Sequence, residues 1–160
     1  MMSEIDEQVQ EELGRGVDFL VVPVGTGSLV QAVLCYYKKK ERETFVLTVE
    51  PDTAACLKTS LESGQRTTIE TGDMAMCGMN CGTVSYLAWP YLRDGVDASV
   101  AVTEGEGKAA LDMLTEMQIK TGPCSAGSLA ALVKACQEGR EQVRLHEDSI
   151  VVLLGTEGPR

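Results

Sequence analysis

Asp18-Phe19-Leu20-Val21-Val22-Pro23-Val24-Gly25-Thr26-Gly27-Ser28-Leu29 is the stretch that decides the fold. Asp18 to Val24 is an almost continuous apolar run, the mark of a strand covered on both faces, as in parallel α/β sheets. Gly25 to Ser28 lets the chain turn. Leu29 to Lys40 then reads as a helix, and its three closing lysines suit a helix C-terminus. The glycines leave backbone N–H groups uncovered, and the helix N-terminus adds a positive dipole. Together they make an anion site fitted to a phosphate, with Ser28 offering a hydroxyl. The same residues also fit a plain tight strand–helix turn. Val30 stands where a third glycine of GxGxxG would be, and no GK[ST] follows. The pattern therefore favours a small phosphate-bearing cofactor over a nucleotide.

Working outward, Ser3 to Leu13 reads as a helix, with Ile5, Val9 and Leu13 on one face and Gly14 and Gly16 as stops. Thr44 to Val49 is a second strand, rich in β-branched residues. Glu50-Pro51-Asp52 breaks it, Asp52 or Thr53 can cap a helix over Ala54 to Ser63, and Gly64 ends that helix. Residues 65–83 are irregular. Ser85 to Leu92 reads as a helix kinked at Pro90, Ala98 to Val102 as a strand, Gly107 to Lys120 and Ser125 to Gln137 as helices, and Ile150 to Leu154 as a last strand. Strands alternating with helices predict an α/β fold with a parallel sheet. Four strands make a narrow sheet with open edges, and the opening helix has no preceding strand to pack on. The expectation is one partial domain over residues 1–160.

Two further turns resemble the first. Thr121-Gly122-Pro123-Cys124-Ser125-Ala126-Gly127-Ser128 precedes an apolar helix, with Ser125 a natural N-cap. Gly155-Thr156-Glu157-Gly158 ends the last strand. Ligands of open α/β sheets gather beyond the carboxyl ends of the strands, and all three turns are expected on that edge. Thr103-Glu104-Gly105-Glu106-Gly107-Lys108 looks phosphate-binding at first, but its acids repel an anion; it reads as a helix start with a loose cap.

Composition narrows the function. The 160 residues carry 14 Lys+Arg against 24 Asp+Glu, a net charge of −10. Nucleic acid and anionic membrane surfaces are held by cations, so neither is an expected partner. No run approaches the roughly 20 apolar residues of a membrane span. The acidic N-terminus lacks the features of a secretory signal, and the cytoplasm is the expected compartment. Six scattered cysteines (Cys35, Cys56, Cys77, Cys81, Cys124 and Cys136) and one histidine give no clustered metal ligands, so no metal is expected. Cys77 and Cys81 read as incidental thiols. His146, in an acidic loop, supports no Ser/His/Asp arrangement, and no carboxylate spacing argues for glycoside chemistry.

Val22-Pro23-Val24-Gly25-Thr26-Gly27-Ser28-Leu29 resembles the phosphate-binding loop of fold-type II pyridoxal-phosphate enzymes, the tryptophan synthase β-like superfamily. Val49-Glu50-Pro51 matches the strand end that follows. Met76-Cys77-Gly78-Met79-Asn80-Cys81-Gly82-Thr83, Ala88-Trp89-Pro90, Leu92-Arg93-Asp94-Gly95, Asp97-Ala98 and Gly155-Thr156-Glu157-Gly158 are similar to diaminopropionate ammonia-lyases within it. The resemblance runs from about Ile5 to Gly158.

It implies a portion of the family's large domain, a partial three-layer α/β/α parallel sheet. The implied cofactor is pyridoxal 5′-phosphate, with its phosphate on Gly25, Thr26, Gly27 and Ser28. Thr156 would stand near the pyridine nitrogen, and Gly122, Cys124 and Ser125 would line the cofactor's far side. The implied reaction is β-elimination from a small amino acid, giving pyruvate and ammonia, with the cofactor as electron sink. The family's Schiff-base lysine precedes the phosphate loop in the half of the fold that this chain does not contain. No catalytic residue is therefore carried across to Lys38, Lys39, Lys40, Lys58, Lys108, Lys120 or Lys134. The expected partner is a second copy, or a chain supplying the N-terminal half. The alternatives are a non-catalytic phosphate- or metabolite-binding module and a portion of a threonine or serine dehydratase-type enzyme.

Overall fold

The computed structural model describes residues 1–39, 43–139 and 143–159. Four parallel strands form its sheet: β1 (Phe19–Pro23), β2 (Phe45–Pro51), β3 (Ala98–Val102) and β4 (Val151–Leu153), in the order β3-β2-β1-β4. β1 sits in the middle, and all five of its residues are buried. Its side chains alternate between two cores. Leu20 and Val22 face one, with Val30, Val33, Leu34 and Tyr37 of helix α2 (Ser28–Tyr37) and Leu57 of α3 (Cys56–Ser63). Phe19 and Val21 face the other, with Ala126, Ala130 and Ala131 of α6 (Pro123–Glu138). Small alanines let α6 lie close to the sheet. Each large apolar side chain buried here contributes about 1.5–3 kcal/mol. A core on either face of one sheet gives the three layers expected from the sequence.

The opening helix α1 (Met2–Leu13) finds its partner on the first of these faces. Met2 is buried, Ile5 and Val9 pack against that core, and the Tyr36 hydroxyl donates to Asp6 Oδ2 at 3.1 Å. Gly14 closes the helix at φ 68°, a left-handed cap that favours glycine.

Several boundaries differ from expectation, each for a local reason. α2 ends at Tyr37 rather than Lys40: the Lys38 ammonium leaves the helix for Asp97 Oδ2 (2.6 Å) and the Thr44 carbonyl (3.1 Å). Lys40 lies outside the described residues. Residues 52–54 form a 3-10 turn, α3 begins at Cys56, and neither Asp52 nor Thr53 caps it. Pro90 does not kink a helix. It sits in the first turn of α4 (Trp89–Gly95), where the missing N–H costs nothing. α5 (Glu104–Glu116) starts earlier and ends earlier than expected. Its cap is a full capping box rather than a loose one: Glu106 N–H donates to Thr103 Oγ1 (3.2 Å), and Thr103 N–H to Glu106 Oε2 (2.6 Å). α6 is capped by Gly122, not Ser125. Among the described residues, no helix is long and apolar enough to cross a membrane.

Candidate functional site

From β1 the chain crosses first to β2 and then to β3 on one side, and afterwards to β4 on the other. That reversal opens a crevice beyond the carboxyl ends of β1 and β4. A cleft of about 560 Å³ lies there. The β1–α2 turn forms one wall, from Pro23 to Leu29. Thr156, Glu157 and Gly158 form the opposite wall, beyond β4. Cys124 from the first turn of α6 and Gly78-Met79 from the irregular segment close it. The three glycine turns of the sequence thus meet, as expected, at one edge.

At the mouth of α2 the backbone is spoken for on its carbonyl side. The Thr26 carbonyl accepts from Ser85 N–H (2.8 Å), and the Gly27 carbonyl from Gln31 N–H (2.9 Å). The amides are different: among the described residues, those of Gly25, Thr26, Gly27 and Ser28 donate to no protein acceptor. The Thr26 and Ser28 hydroxyls lie 3.2 Å apart, both on exposed residues. Gly27 holds φ 89°, where a side chain is strained. A Cβ on Gly27 would come within 2.7 Å of Leu92 Cδ2, pointing into the core beneath the turn. A Cβ on Gly25 would meet the Gly78 carbonyl at 3.0 Å, so glycine here lets the 77–79 turn close on the loop.

The neighbouring helix mouths have acceptors of their own. Fully buried Glu50, at the end of β2, takes Leu57 N–H on Oε1 (2.7 Å) and Lys58 N–H on Oε2 (2.8 Å), capping α3. Burial pushes its carboxyl above the ordinary range, while hydrogen bonds from Leu57, Lys58 and Cys56 pull it down. Burial, with Glu50 beside it, also drives the Cys56 thiol up to about 12. At α6, Glu157 Oε2 accepts Cys124 N–H at 2.7 Å. Burial and a hydrogen bond to Glu157 push the Cys124 thiol up to about 11, so it stays protonated near neutrality. The Glu157 backbone is fastened too: its N–H donates to Ser125 Oγ (3.1 Å), and its carbonyl accepts from Thr121 Oγ1 and Ser125 Oγ, each at 3.2 Å.

Gly25, Thr26, Gly27, Ser28, Cys124 and Thr156 all line the cleft. Gly122 and Ser125 stand behind it, one capping α6 and the other pinning Glu157. Gly78, Met79 and Glu157 also line the cleft; sequence reasoning assigns none of them a binding role, although Glu157 lies in the candidate turn Gly155 to Gly158 and the other two in the similar block Met76 to Thr83. A hint for the first two was the run of small and glycine residues from Cys77 to Gly82. Among the described lining residues none is a lysine, and Glu157 is the one formal charge. The described lysines with ion partners are engaged elsewhere: Lys38 with Asp97, Lys58 with Glu62, Lys108 with Asp112 and Lys134 with Glu106.

Free amides at a helix mouth with two hydroxyls beside them suit a phosphate ester, the anchor that pyridoxal phosphate carries. Known proteins agree. The L-threonine dehydratase biosynthetic IlvA of Lactococcus lactis is 29% identical over 130 residues, covering 81% of this chain and 31% of that protein. The Mycobacterium tuberculosis protein of that name is 31% identical over 131 residues, covering 80% and 30%. Among solved structures, a T.th. threonine deaminase superposes with a TM-score of 0.80 at 27% identity, over 96% of this chain and 53% of that one. The diaminopropionate ammonia lyase of Escherichia coli, in complex with an aminoacrylate-PLP azomethine reaction intermediate, gives 0.81 at 25%, over 98% and 43%. The chain thus spans about a third of these curated relatives and about half of these structures. The family model for "Pyridoxal-phosphate dependent enzyme" matches residues 1–156, and the chain belongs to that family.

Proposed function

We propose that this chain is the cofactor-phosphate-holding portion of a pyridoxal-phosphate-dependent ammonia-lyase of the diaminopropionate type, acting on an amino acid with a leaving group on its β-carbon. The observation that carries this reading is the set of four amides, Gly25 to Ser28, with no protein acceptor at the mouth of the cleft. They would clasp the phosphate, and the Ser28 and Thr26 hydroxyls would donate to its remaining oxygens. Thr156, across the cleft, would offer the ring nitrogen a neutral hydroxyl in place of a carboxylate. A neutral partner leaves the ring a weaker electron sink, which favours elimination over transamination. Met79 and Cys124 wall the space between and limit water. When bound, the cofactor withdraws the electrons released at the substrate α-carbon.

In this reading, residues 1–160 form one partial domain. The lysine that holds the cofactor covalently would lie outside these residues, in the other half of the fold, and the whole would work as a homodimer or a complemented assembly. The matched threonine dehydratases favour a second reading, in which the leaving group is the hydroxyl of a hydroxy amino acid. The sequence blocks from Met76 to Thr83 and Leu92 to Gly95 favour the first.

Titrating the chain with pyridoxal phosphate tests the proposal. Saturable binding that competes with inorganic phosphate is expected, and borohydride treatment followed by mass spectrometry is expected to show no single preferred lysine. A reduced adduct confined to one lysine would overturn the placing of that lysine outside residues 1–160. Absence of binding would leave a plain strand–helix turn.

A further inference from the structure

We infer that Ser125 is a positioning residue: it holds the turn after β4 so that Thr156 stays on the wall of the cleft, and it does so without touching the ligand. This deepens the proposed function. It rests on the reading of Gly25 to Ser28 as the phosphate site and of Thr156 as the partner of the ring nitrogen.

The sheet stops fixing the chain just before this turn. β4 ends at Leu153, and the bond from Leu154 N–H to the Val21 carbonyl (3.0 Å) is the last that ties it to β1. Beyond it, one face of α6 takes over. Ser128 Oγ donates to the Leu154 carbonyl at 2.9 Å. One turn earlier on the same face stands Ser125, buried and absent from the cleft wall. Its hydroxyl grips the chain immediately after Thr156: Oγ accepts Glu157 N–H (3.1 Å) and donates to the Glu157 carbonyl (3.2 Å). Thr121 Oγ1 and Gly122 N–H share that carbonyl, at 3.2 and 3.3 Å, but the amide goes to Ser125. This amide belongs to the peptide plane that starts at Thr156 Cα, so holding it fixes the ψ of Thr156. On the other side of Thr156, Gly155 lies against the same serine. A Cβ there would meet Ser125 Cβ at 3.1 Å and Oγ at 3.2 Å. Both neighbours of Thr156 thus rest on Ser125, while Thr156 is exposed and lines the cleft. A hydroxyl held in place before binding spares the ligand the cost of ordering it.

The test measures binding of two ligands to the full chain by calorimetry. Pyridoxamine 5′-phosphate carries the ring and the phosphate, with no aldehyde to react with lysines; inorganic phosphate carries no ring. Ser125→Ala is expected to weaken pyridoxamine phosphate about fivefold, the scale of one hydrogen bond, and to leave inorganic phosphate within about twofold. Retained phosphate binding also shows that the variant is folded. In a chain that already carries Thr156→Ala, adding Ser125→Ala is expected to change pyridoxamine phosphate affinity by less than about twofold, because the serine acts through the threonine. Should Ser125→Ala not fold, Gly155→Ala decides, since its methyl pushes the turn off the serine and is expected to give the same split between the ligands. Equal weakening of both ligands would make Ser125 general scaffold. Unchanged pyridoxamine phosphate affinity would leave it no part in the site, and additive losses in the double variant would separate it from Thr156. Each of these results overturns the inference while leaving the phosphate turn intact. If the wild-type chain bound neither ligand, the phosphate-binding reading would fall, and the inference with it.

Discussion

The mouth of α2 and the mouths of α3 and α6 are built from the same parts and finished differently. Each helix begins near the carboxyl edge of the sheet, and each presents amides that the helix itself cannot satisfy. At α3 and α6 the chain supplies the acceptor, Glu50 in one case and Glu157 in the other. At α2 it supplies none among the described residues. An open cap forgoes roughly 1 kcal/mol that a capping side chain would have added. The contrast within one sheet edge supports the proposal that the open mouth takes an external anion while the closed ones serve as scaffold.

The largest break in this contrast comes from Gly27→Val. A β-branched side chain at φ 89° is strained, and its Cβ would strike Leu92 in the core. The loss should be about 3–5 kcal/mol of stability, read as a lower urea midpoint, together with loss of phosphate binding. The cause is not a side chain filling the anion position, since the Cβ points away from the cleft. Retained affinity with full stability would mean that the turn geometry does not make the site.

Glu50→Gln tests the closed side. Gln can accept only one of the two amides that Glu50 holds, and its NH2 faces the other, so about 2 kcal/mol of stability should go. Phosphate affinity should not change, because Glu50 lies away from the cleft. The pH dependence has a definite sign. Burial raises the folded-state value of this carboxyl above its ordinary 4.5, so the folded protein holds the proton more tightly than the unfolded chain. That contribution is full below about 4.5 and is lost as pH climbs through the folded value. The margin of the wild type over Glu50→Gln should therefore narrow as pH rises from that point in paired urea titrations. A widening margin would show that the amide donors outweigh burial.

What could be read from the sequence follows the range of the interactions. Strand β1, its glycine turn and the start of α2 are contiguous, and the local pattern of apolar run, glycines and hydroxyl carries them. The parallel order of strands likewise follows from alternation. The caps of α3 and α6 were missed because their acceptors lie elsewhere in the chain. Glu50 reaches Leu57 and Lys58 across a 3-10 turn, and Glu157 reaches Cys124 from the far end of the sequence, where periodicity says nothing about proximity. Ser125 looked like the cap by residue type, yet tertiary packing gave it Glu157 to hold. The closeness of Gly78 to Gly25 was hidden for the same reason.

Ser28→Ala gives the smallest effect and the finest discrimination between an open cap and a binding site. Ser28 is the first residue of α2, it is exposed, and among the described residues its hydroxyl meets only Thr26 Oγ1, at 3.2 Å. If the mouth serves only as a turn, removing that oxygen shifts stability within about 0.5 kcal/mol and changes nothing else. If the mouth holds a phosphate, the same substitution removes one charge-assisted donor. Affinity should then fall by about 1.5 kcal/mol, roughly tenfold in Kd, while stability without ligand stays put. Titrating both proteins with inorganic phosphate and with pyridoxal phosphate separates the outcomes, because a phosphate contact must weaken both ligands by a similar factor. A loss confined to pyridoxal phosphate would place Ser28 against another part of the cofactor, and equal affinities would return the hydroxyl to the turn.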